Sequence, residues 1–275
     1  MFDEAVIPLD EWTSTSVDWL VENHREIFQT MKWPVEQLLN GLDLAFNAIN
    51  PVVVIVFLVL IAWKFSGKRL AVFTAASMTA IGLLGLWEDS MTTLAMVLSS
   101  VFICALAGIP LGIMAGRSDR FEACLRPVLD AMQTTPAFVY LVPIVMLFSV
   151  GNVAGVLATI IFALPPIIRL TCLGIRQVHP ELVEAAQAFG ATRWQVLIKV
   201  QIPLAMPTIL AGLNQTIMMA LSMVVIAALI GAGGLGEPVV YGLNTLDIGR
   251  AVVGGLGIVL LAIVLDRITQ SMAQK

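Results

Sequence analysis

Long apolar segments separated by short polar joints dominate the chain from residue 51 onward. A membrane-spanning helix needs about 20 apolar residues to cross ~30 Å of hydrocarbon, and segments near or above that length recur. The pattern predicts seven spans, which occupy residues 51–65, 69–87, 91–115, 134–150, 152–173, 205–230 and 250–267. The first span is short and must either borrow residues before Pro51 or cross obliquely. We therefore expect an all-α, polytopic integral membrane protein.

The first fifty residues follow a different pattern, in which the apolar positions lie on one helical face. Their spacing of three and four residues predicts two amphipathic helices, separated by a break at Pro34. The polar face is acidic, whereas helices that bind anionic membrane surfaces carry basic residues. This tail is expected either to lie in the membrane interface or to pack on its own membrane domain or on a partner subunit.

The composition agrees with a membrane protein, because 59 % of the 275 residues are hydrophobic and only 12 % are charged. Soluble domains carry about 25 % charged residues. The three cysteines are scattered and the two histidines lie far apart, so we expect neither a disulfide framework nor a metal cluster. The acidic N-terminus does not have the pattern of a cleaved signal peptide.

The basic residues predict the orientation, since cytoplasmic loops carry an excess of Lys and Arg. Twelve of the 15 basic residues fall on one side of the predicted spans. Alternation through seven spans then places the 174–204 loop and the C-terminus in the cytoplasm and the acidic N-terminal tail outside. No internal repeat is evident, so the sequence gives no support to an inverted-repeat transporter.

The joint between the fifth and sixth spans contains a short amphipathic helix. Pro180 and Glu181 suit its first turn, where proline needs no amide partner and a carboxylate favours the helix dipole. Gly190 supplies a stop that tolerates positive φ. A helix of about ten residues is unstable alone in water and needs a groove to bind in. Spacing alone also fits a loop helix that rests at the membrane interface.

The sequence around this helix resembles the EAA loop of permease subunits in binding-protein-dependent ABC importers. The residues that carry the likeness are Glu184, Ala185, Ala186, Gly190 and Pro203. In that family the loop forms a coupling helix that docks into a cleft on the cytoplasmic ATPase subunit. The resemblance implies that these residues transmit ATP-driven closure to the membrane helices.

Further stretches extend the likeness over roughly residues 85–270. They include "RPVLDAMQTTPAFVYLVPIVMLF" at 126–148 and "LDRITQ" at 265–270, which are similar to permeases of the glycine betaine/proline betaine (ProU-type) and choline importers. The resemblance implies a type I ABC importer transmembrane domain over 88–270. Two N-terminal membrane helices in 51–87 and the external tail of 1–50 would precede it.

The resemblance also implies a function and a set of partners. The chain would be the permease subunit of an ATP-driven importer for glycine betaine or proline betaine, with choline and carnitine as further candidates. An external binding protein would deliver the substrate, two copies of a cytoplasmic ATPase would carry ATP and Mg²⁺, and a second permease copy would complete a homodimer. This chain would bind no cofactor and no nucleic acid, and would reside in the bacterial cytoplasmic (inner) membrane.

The chain does not have the motifs of an ATPase or of an enzyme. Its only Gly-Lys pair, Gly67-Lys68, is followed by Arg69 instead of Ser or Thr and lacks the leading glycine of a phosphate-binding loop. The sequence suggests no nucleophile and base pair. The alternative function is an ATP-independent secondary carrier or channel for small osmolytes. Ion-coupled carriers hold charges inside their spans, whereas Asp130 and Arg169 lie near span ends here.

Polar residues of the fourth and sixth spans are candidates for a translocation path. They are Gln133, Thr134, Thr135, Asn214, Gln215, Thr216 and Ser222. Each one also suits a hydrogen bond between helices. An aromatic cage would hold a quaternary ammonium well, but the six tryptophans do not converge in the sequence. High-affinity selection is therefore expected in the binding protein.

The stretch "IGAGGLGE" at 230–237 fits the glycine spacing of a dinucleotide-binding turn through Gly231, Gly233 and Gly236. That fingerprint requires a preceding strand inside a soluble βαβ unit, whereas a membrane span precedes it here. We expect these glycines, together with Gly234, to form a hinge of an outer gate.

Overall fold

The computed structural model describes residues 9–273, and all regular elements within that range are helical. In chain order they are α1 (Leu9–Ala48), α2 (Pro51–Ser66), α3 (Lys68–Leu83), α4 (Trp87–Arg117), α5 (Asp119–Thr134), α6 (Ala137–Phe148), α7 (Asn152–Arg176), α8 (Pro180–Ala188), α9 (Arg193–Val196), a π-helix (Leu197–Gln201), α10 (Ile202–Ala228), α11 (Gly236–Thr245) and α12 (Ile248–Ala273). The expected all-α fold is confirmed.

Within the described range, four helical segments are long and apolar enough to cross a membrane. They are Trp87–Arg117, Asn152–Arg176, Arg193–Ala228 and Ile248–Met272. Two bent pairs also qualify, the Glu26–Ala48 part of α1 with α2 at 106° and α5 with α6 at 98°. The candidates thus number four, or six with each pair taken as one span, against seven in the sequence analysis. The difference has a physical reason, because α3 has 16 residues and is only about 24 Å long.

Helix α1 runs through Pro34 without interruption, so the predicted break into two helices is wrong. An internal proline removes one backbone hydrogen bond and costs about 3 kcal/mol. Packing offsets that cost, since Val35 and Leu39 are 7 % and 2 % exposed in a cluster with residues of α4 and α7. Phe28 also packs edge-on against Phe148 of α6, with ring centroids 5.7 Å apart. The second half of α1 therefore packs on the chain's own membrane helices.

The N-terminal stretch that the sequence analysis assigned to the tail is described only from residue 9 onward. Residues 1–8 and 274–275 lie outside the described range, so the predicted location of the C-terminus stays a prediction.

Helices α4, α7 and α10 form the centre of the bundle and approach one another at glycines. A Cβ atom on Gly112 of α4 would lie 2.5 Å from Cβ of Thr171 and 2.7 Å from the carbonyl oxygen of Ile168. A Cβ atom on Gly174 of α7 would lie 3.1 Å from Cβ of Thr208. Small residues let membrane helices pack closely, where lipid provides no hydrophobic drive for association. These contacts hold α7 against α4 and α10 along the half of the bundle near α8.

The remaining helices surround this centre. The α2–α3 hairpin packs on α12, where Ala62, Val264 and Ile268 are buried together. Helix α11 also packs on α12, and a Cβ atom on Gly242 would lie 2.6 Å from the amide nitrogen of Ala251. Helix α12 is consequently the element that joins the N-terminal hairpin to the central bundle.

Candidate coupling site and glycine turn

Helix α8 ends as its sequence predicts, at Gly190. This glycine has φ +81°, a conformation that side chains other than glycine disfavour. The amide of Gly190 donates to the carbonyl oxygen of Gln187 at 2.9 Å, and the amide of Ala191 donates to that of Ala186 at 3.0 Å. This pair of hydrogen bonds is a Schellman motif, which satisfies carbonyl groups that a helix end leaves unpaired.

The surface of α8 is open. None of its residues is buried, Leu182 is 45 % exposed, and the adjoining Phe189 is 94 % exposed. Phe189 borders a cleft that Gly190, Gln195 and Lys199 also line. Phe189 is the most exposed large hydrophobic side chain among the described residues, so α8 and its C-terminal end offer an apolar group that the chain itself does not cover.

A second helical segment connects α8 to the opposite end of the bundle. Thr192 and Gln195 form a capping box, in which the Thr192 amide donates to Oε1 of Gln195 at 2.8 Å and the Gln195 amide donates to Oγ1 of Thr192. From there α9, the π-helix and α10 continue as one helical segment over Arg193–Ala228. We call this segment the connecting helix; its 36 residues span about 54 Å at 1.5 Å per residue.

The π-helix lies directly before Pro203. Proline has no amide hydrogen, so an α-helix interrupted by it loses a hydrogen bond. Here the amide of Ile202 instead donates to the carbonyl oxygen of Leu197, five residues back. Pro203 thus falls in the first turn of α10, where proline is tolerated. Val196 and Leu197, each 3 % exposed, fix the segment in the core.

Ion pairs fix the helix end from which the α8 loop departs. Nη2 of Arg176, the last residue of α7, lies 2.7 Å from Asp119 and 3.0 Å from Glu122 on α5. The same guanidinium donates to the Ala115 carbonyl of α4 at 3.1 Å. The start of the loop is therefore held while α8 itself stays exposed.

The two charges that the sequence analysis placed near span ends also meet. Arg169 of α7 donates to Asp130 of α5 at 2.5 Å. On the other side of the loop, the guanidinium of Arg117 lies over the Trp194 ring, 6.0 Å from its centroid. Both contacts lie at the α8 end of the bundle.

The three path candidates of α5 and its C-cap lie at the bend between α5 and α6. Gln133 and Thr134 are exposed and Thr135 is half-buried. The two hydroxyl groups donate to their own helix, to the carbonyls of Asp130 at 2.9 Å and Ala131 at 2.7 Å. Among the three, Gln133 is thus the residue whose side chain makes no hydrogen bond to the helix in the part of the chain that the structure describes.

The four candidates on α10 point in different directions. Gln215 and Ser222 are exposed on the same face, two turns apart. Thr216 is buried, and Asn214 is directed at α12, where it bonds to Asp266 at 3.1 Å. The structure therefore keeps Gln215 and Ser222 on an open face and places Asn214 and Thr216 in helix contacts.

Asp266 was not among the candidate residues predicted from the sequence. It lies near the end of the last predicted span, where a charge is unremarkable, but in the structure it is half-buried within α12. The available signal was an acidic residue inside an apolar helix, which in membrane proteins marks a functional position.

The glycines of the predicted hinge form a compact turn between α10 and α11. In this glycine turn (Gly231–Gly236) Gly231 and Gly234 have φ of +74° and +86°. Side chains of two other helices close the turn by accepting hydrogen bonds from its amides. The Gly233 amide donates to Oδ1 of Asn152 on α7 at 2.7 Å, and the Leu235 amide donates to Oγ1 of Thr93 on α4 at 2.8 Å.

The glycine turn is also densely packed. A Cβ atom on Gly234 would lie 2.5 Å from Oγ1 of Thr93, and one on Gly236 would lie 2.7 Å from the Val224 carbonyl oxygen. An α-helix precedes the turn, so the strand that a dinucleotide fingerprint requires does not stand before it. The turn joins the connecting helix to α4 and α7 at the end of the bundle opposite α8.

Comparison with known proteins gives one family, two relatives and one solved structure. Residues 108–275 match the family described as "Binding-protein-dependent transport system inner membrane component". The glycine betaine/proline betaine transport system permease protein ProW of Escherichia coli is 56 % identical over 274 residues, which are 99 % of this chain and 77 % of that protein. The glycine betaine transport system permease protein OpuAB of Bacillus subtilis is 44 % identical over 269 residues, which are 98 % and 95 % of the two chains. In fold, a chain of the inward-facing MetNI methionine ABC transporter matches with a TM-score of 0.60 at 22 % identity, over 66 % of this chain and 91 % of that one.

Proposed function

Because this chain belongs to the family of binding-protein-dependent transport system inner membrane components, we propose that it is the permease subunit of an ATP-driven importer for a quaternary-ammonium compatible solute. One observation carries the proposal: the identity of 56 % to the E. coli permease extends over 99 % of this chain. Glycine betaine and proline betaine are the proposed substrates, and choline and carnitine are candidates of the same chemical class. Membership of this family does not favour an ATP-independent carrier or channel.

We propose α8 as the contact with a cytoplasmic ATPase subunit. Glu184, Ala185, Ala186 and Gly190 would form the docked surface, and Pro203 would lie at the start of the helix that carries the movement. The exposure of α8 and Phe189 supports this assignment, as does the continuous helix from Arg193 to Ala228. Two ATPase copies would bind ATP and Mg²⁺, while this chain binds neither.

The substrate path would lie along the open face of α10 and the α5–α6 bend. Gln215, Ser222 and Gln133, together with Thr134 and Thr135, are the exposed or half-buried polar residues there. A second copy of the chain would enclose the path, since one copy leaves this face open. The glycine turn would lie on the outer side near the binding protein and act as the joint of the outer gate.

The orientation follows from the same arrangement. The end of the bundle with α8, Arg126, Arg169 and Arg176 would face the cytoplasm, in agreement with the excess of basic residues there. Helix α1 and the glycine turn would then lie on the outer side. The protein would reside in the cytoplasmic (inner) membrane of a bacterium.

Uptake by reconstituted vesicles tests the proposal. The chain is placed in proteoliposomes with ATPase and binding-protein subunits, and uptake of radiolabelled glycine betaine is measured with and without each component and ATP. We expect uptake to require all of them, with competition by proline betaine. Uptake by the chain alone, driven by an ion gradient, would instead establish the secondary carrier. Competition by choline and carnitine defines the width of the substrate class.

A further inference from the structure

A polar cluster joins α10 to α12 inside the bundle. Asn214 of α10 donates its amide hydrogen to Oδ1 of Asp266 at 3.1 Å, and Gln270 donates to the same oxygen at 2.7 Å. The hydroxyl group of Thr269 donates to Oδ1 of Asn214. We call these four residues the α10–α12 cluster; all four are half-buried.

The cluster lies in an apolar setting. Asn214 and Asp266 both fall within segments long and apolar enough to cross a membrane, and Leu221, Leu261 and Leu265 are buried in the core nearby on the two helices. A carboxylate inside such a segment is expensive and is usually found where it has a function. An apolar pair at these two positions would pack α12 on α10 without that cost. The presence of a carboxylate therefore calls for a role beyond adhesion.

Neutral amides, rather than a cation, contact this carboxylate. The described hydrogen bonds to Asp266 come from side-chain amides, and the ion pairs found between residues 9 and 273 lie elsewhere, around Arg126, Arg169 and Arg176. Hydrogen bonds to an ionised acceptor are stronger and more directional than neutral ones. The contact thus fixes one register between two helices that are otherwise held by apolar side chains.

Both polar ends of the Asn214 side chain are occupied by α12. Its nitrogen donates to Asp266 and its oxygen accepts from Thr269, so both ends of the amide are engaged with α12. This geometry separates Asn214 from Gln215 and Ser222, which lie on the open face of the same helix.

The position of the contact suggests its role. Asn214 is near the middle of the connecting helix, between the coupling segment at Arg193 and the glycine turn. Helix α12 in turn contacts α2, α3 and α11. From this geometry, and resting on the proposed function, we propose that Asp266 is a positioning residue that makes α12 move together with α10 when ATP drives the connecting helix.

An exchange of the two side chains tests this role. In Asn214→Asp two carboxylates face each other, and we expect uptake of glycine betaine per inserted protein to fall by about tenfold or more. In the double variant Asn214→Asp/Asp266→Asn every hydrogen bond of the cluster can form again. The new carboxylate accepts from Thr269 and from the new amide nitrogen, which takes the place of Oδ1 of Asp266 and donates its second hydrogen to Oε1 of Gln270 once that side-chain amide turns over. We expect uptake to return to within about threefold of the unaltered protein, as for coupled residues in a double-mutant cycle.

Two further variants separate positioning from general stability. Asp266→Leu keeps an apolar contact between α10 and α12 but removes the hydrogen bonds that fix their relative position. We therefore expect ATP hydrolysis to continue while less substrate enters per ATP consumed. Ser271→Ala, on the same helix, removes a hydrogen bond to Ser66 of α2 instead of one to α10, and should leave uptake unchanged. Thermal unfolding in detergent normalises each variant for folded protein.

The outcomes are distinct for the two proposals. Absence of ATP-dependent uptake by the unaltered chain would reject the proposed function and, with it, a positioning role in that cycle. Normal uptake by the unaltered chain, together with an equal rate and an equal substrate-to-ATP ratio in Asp266→Leu, would reject the positioning role alone. Failure of the double variant to regain uptake, although it folds, would also overturn it.

Discussion

Two segments of this chain turn at a glycine with positive φ, and they are opposite in character. At Gly190 the chain leaves α8 on an open surface, where a Cβ atom would meet nothing within 4 Å. At Gly234 the chain turns inside the bundle, where a Cβ atom would meet Thr93 at 2.5 Å. The first segment is shaped by its own backbone hydrogen bonds, and the second by side chains of α4 and α7.

This difference shows how one helix can connect two kinds of site. The connecting helix begins beside the open segment and ends at the closed one. An open surface can receive a partner subunit, whereas the closed turn ties the end of the connecting helix to α4 and α7. A displacement applied at α8 would therefore reach the glycine turn through a rigid element, and would be felt there by α4 and α7.

The largest expected effect comes from Gly234→Ala. The new Cβ atom clashes with Thr93 and the positive φ is strained, so we expect a loss of about 2 to 5 kcal/mol in the free energy of unfolding, with uptake abolished. Thermal unfolding and the yield of protein in the membrane measure the loss of stability. Gly233→Ala is the matched control, because its Cβ would lie 3.6 Å from the nearest atom and should cost within about 1 kcal/mol. Equal behaviour of the two variants would contradict the closed turn.

Gly190→Val tests the open segment. The Cβ position has no neighbour within 4 Å, so the main cost is the strain of a β-branched residue at positive φ, about 2 kcal/mol or more. Uptake and substrate-stimulated ATP hydrolysis should nevertheless fall by about tenfold, since the altered helix end no longer fits the ATPase. Gly41→Ala, also at a position without neighbours, serves as the control. Retention of full uptake by Gly190→Val would remove α8 from the coupling role.

Phe189→Ala separates docking from folding more finely. Because Phe189 is 94 % exposed, its truncation should leave thermal unfolding unchanged. The affinity for the ATPase subunit should weaken by about tenfold, as for an aromatic residue central to an interface. Titration of the detergent-purified chain with the ATPase measures this affinity. Leu83→Ala is the control: it removes a side chain that is 85 % exposed on α3 and should leave the affinity for the ATPase subunit unchanged.

A matched pair of threonines, each of which accepts a hydrogen bond from a backbone amide, tests the burial of the two segments. Thr93→Val leaves the buried Leu235 amide without its acceptor and should cost about 1 to 3 kcal/mol in unfolding. Thr192→Val removes an exposed cap that water replaces in part, and should cost about 0.5 to 1 kcal/mol. Similar costs at both positions would mean that the two segments do not differ in burial as described.

Much of the fold could be predicted because its signals are local. The apolar segments identified the positions of α4, α7, α10 and α12, since the length of a span and its hydropathy are properties of a continuous stretch. The bounds of α8 were predicted from Pro180 and Gly190, because those residues act on the backbone at their own positions.

Elements that depend on distant partners were predicted less well. Proline at 34 indicated a break, but the burial of Val35 and Leu39 against other helices keeps α1 intact. Likewise, the bend after Thr134 and the Arg169–Asp130 pair require residues far apart in the chain to meet.

The sequence by itself determined the helical class, the approximate spans and the bounds of α8, and it argued against a nucleotide-binding turn. Only the tertiary structure decided that Asn214 contacts Asp266 instead of the open face, and that Thr93 and Asn152 close the glycine turn. The physical reason is distance along the chain: Thr93 and Leu235 are 142 residues apart, and Asn214 and Asp266 are 52 apart. Helical periodicity states which face a residue occupies, but the identity of the helix that packs on that face follows from the packing of the whole bundle.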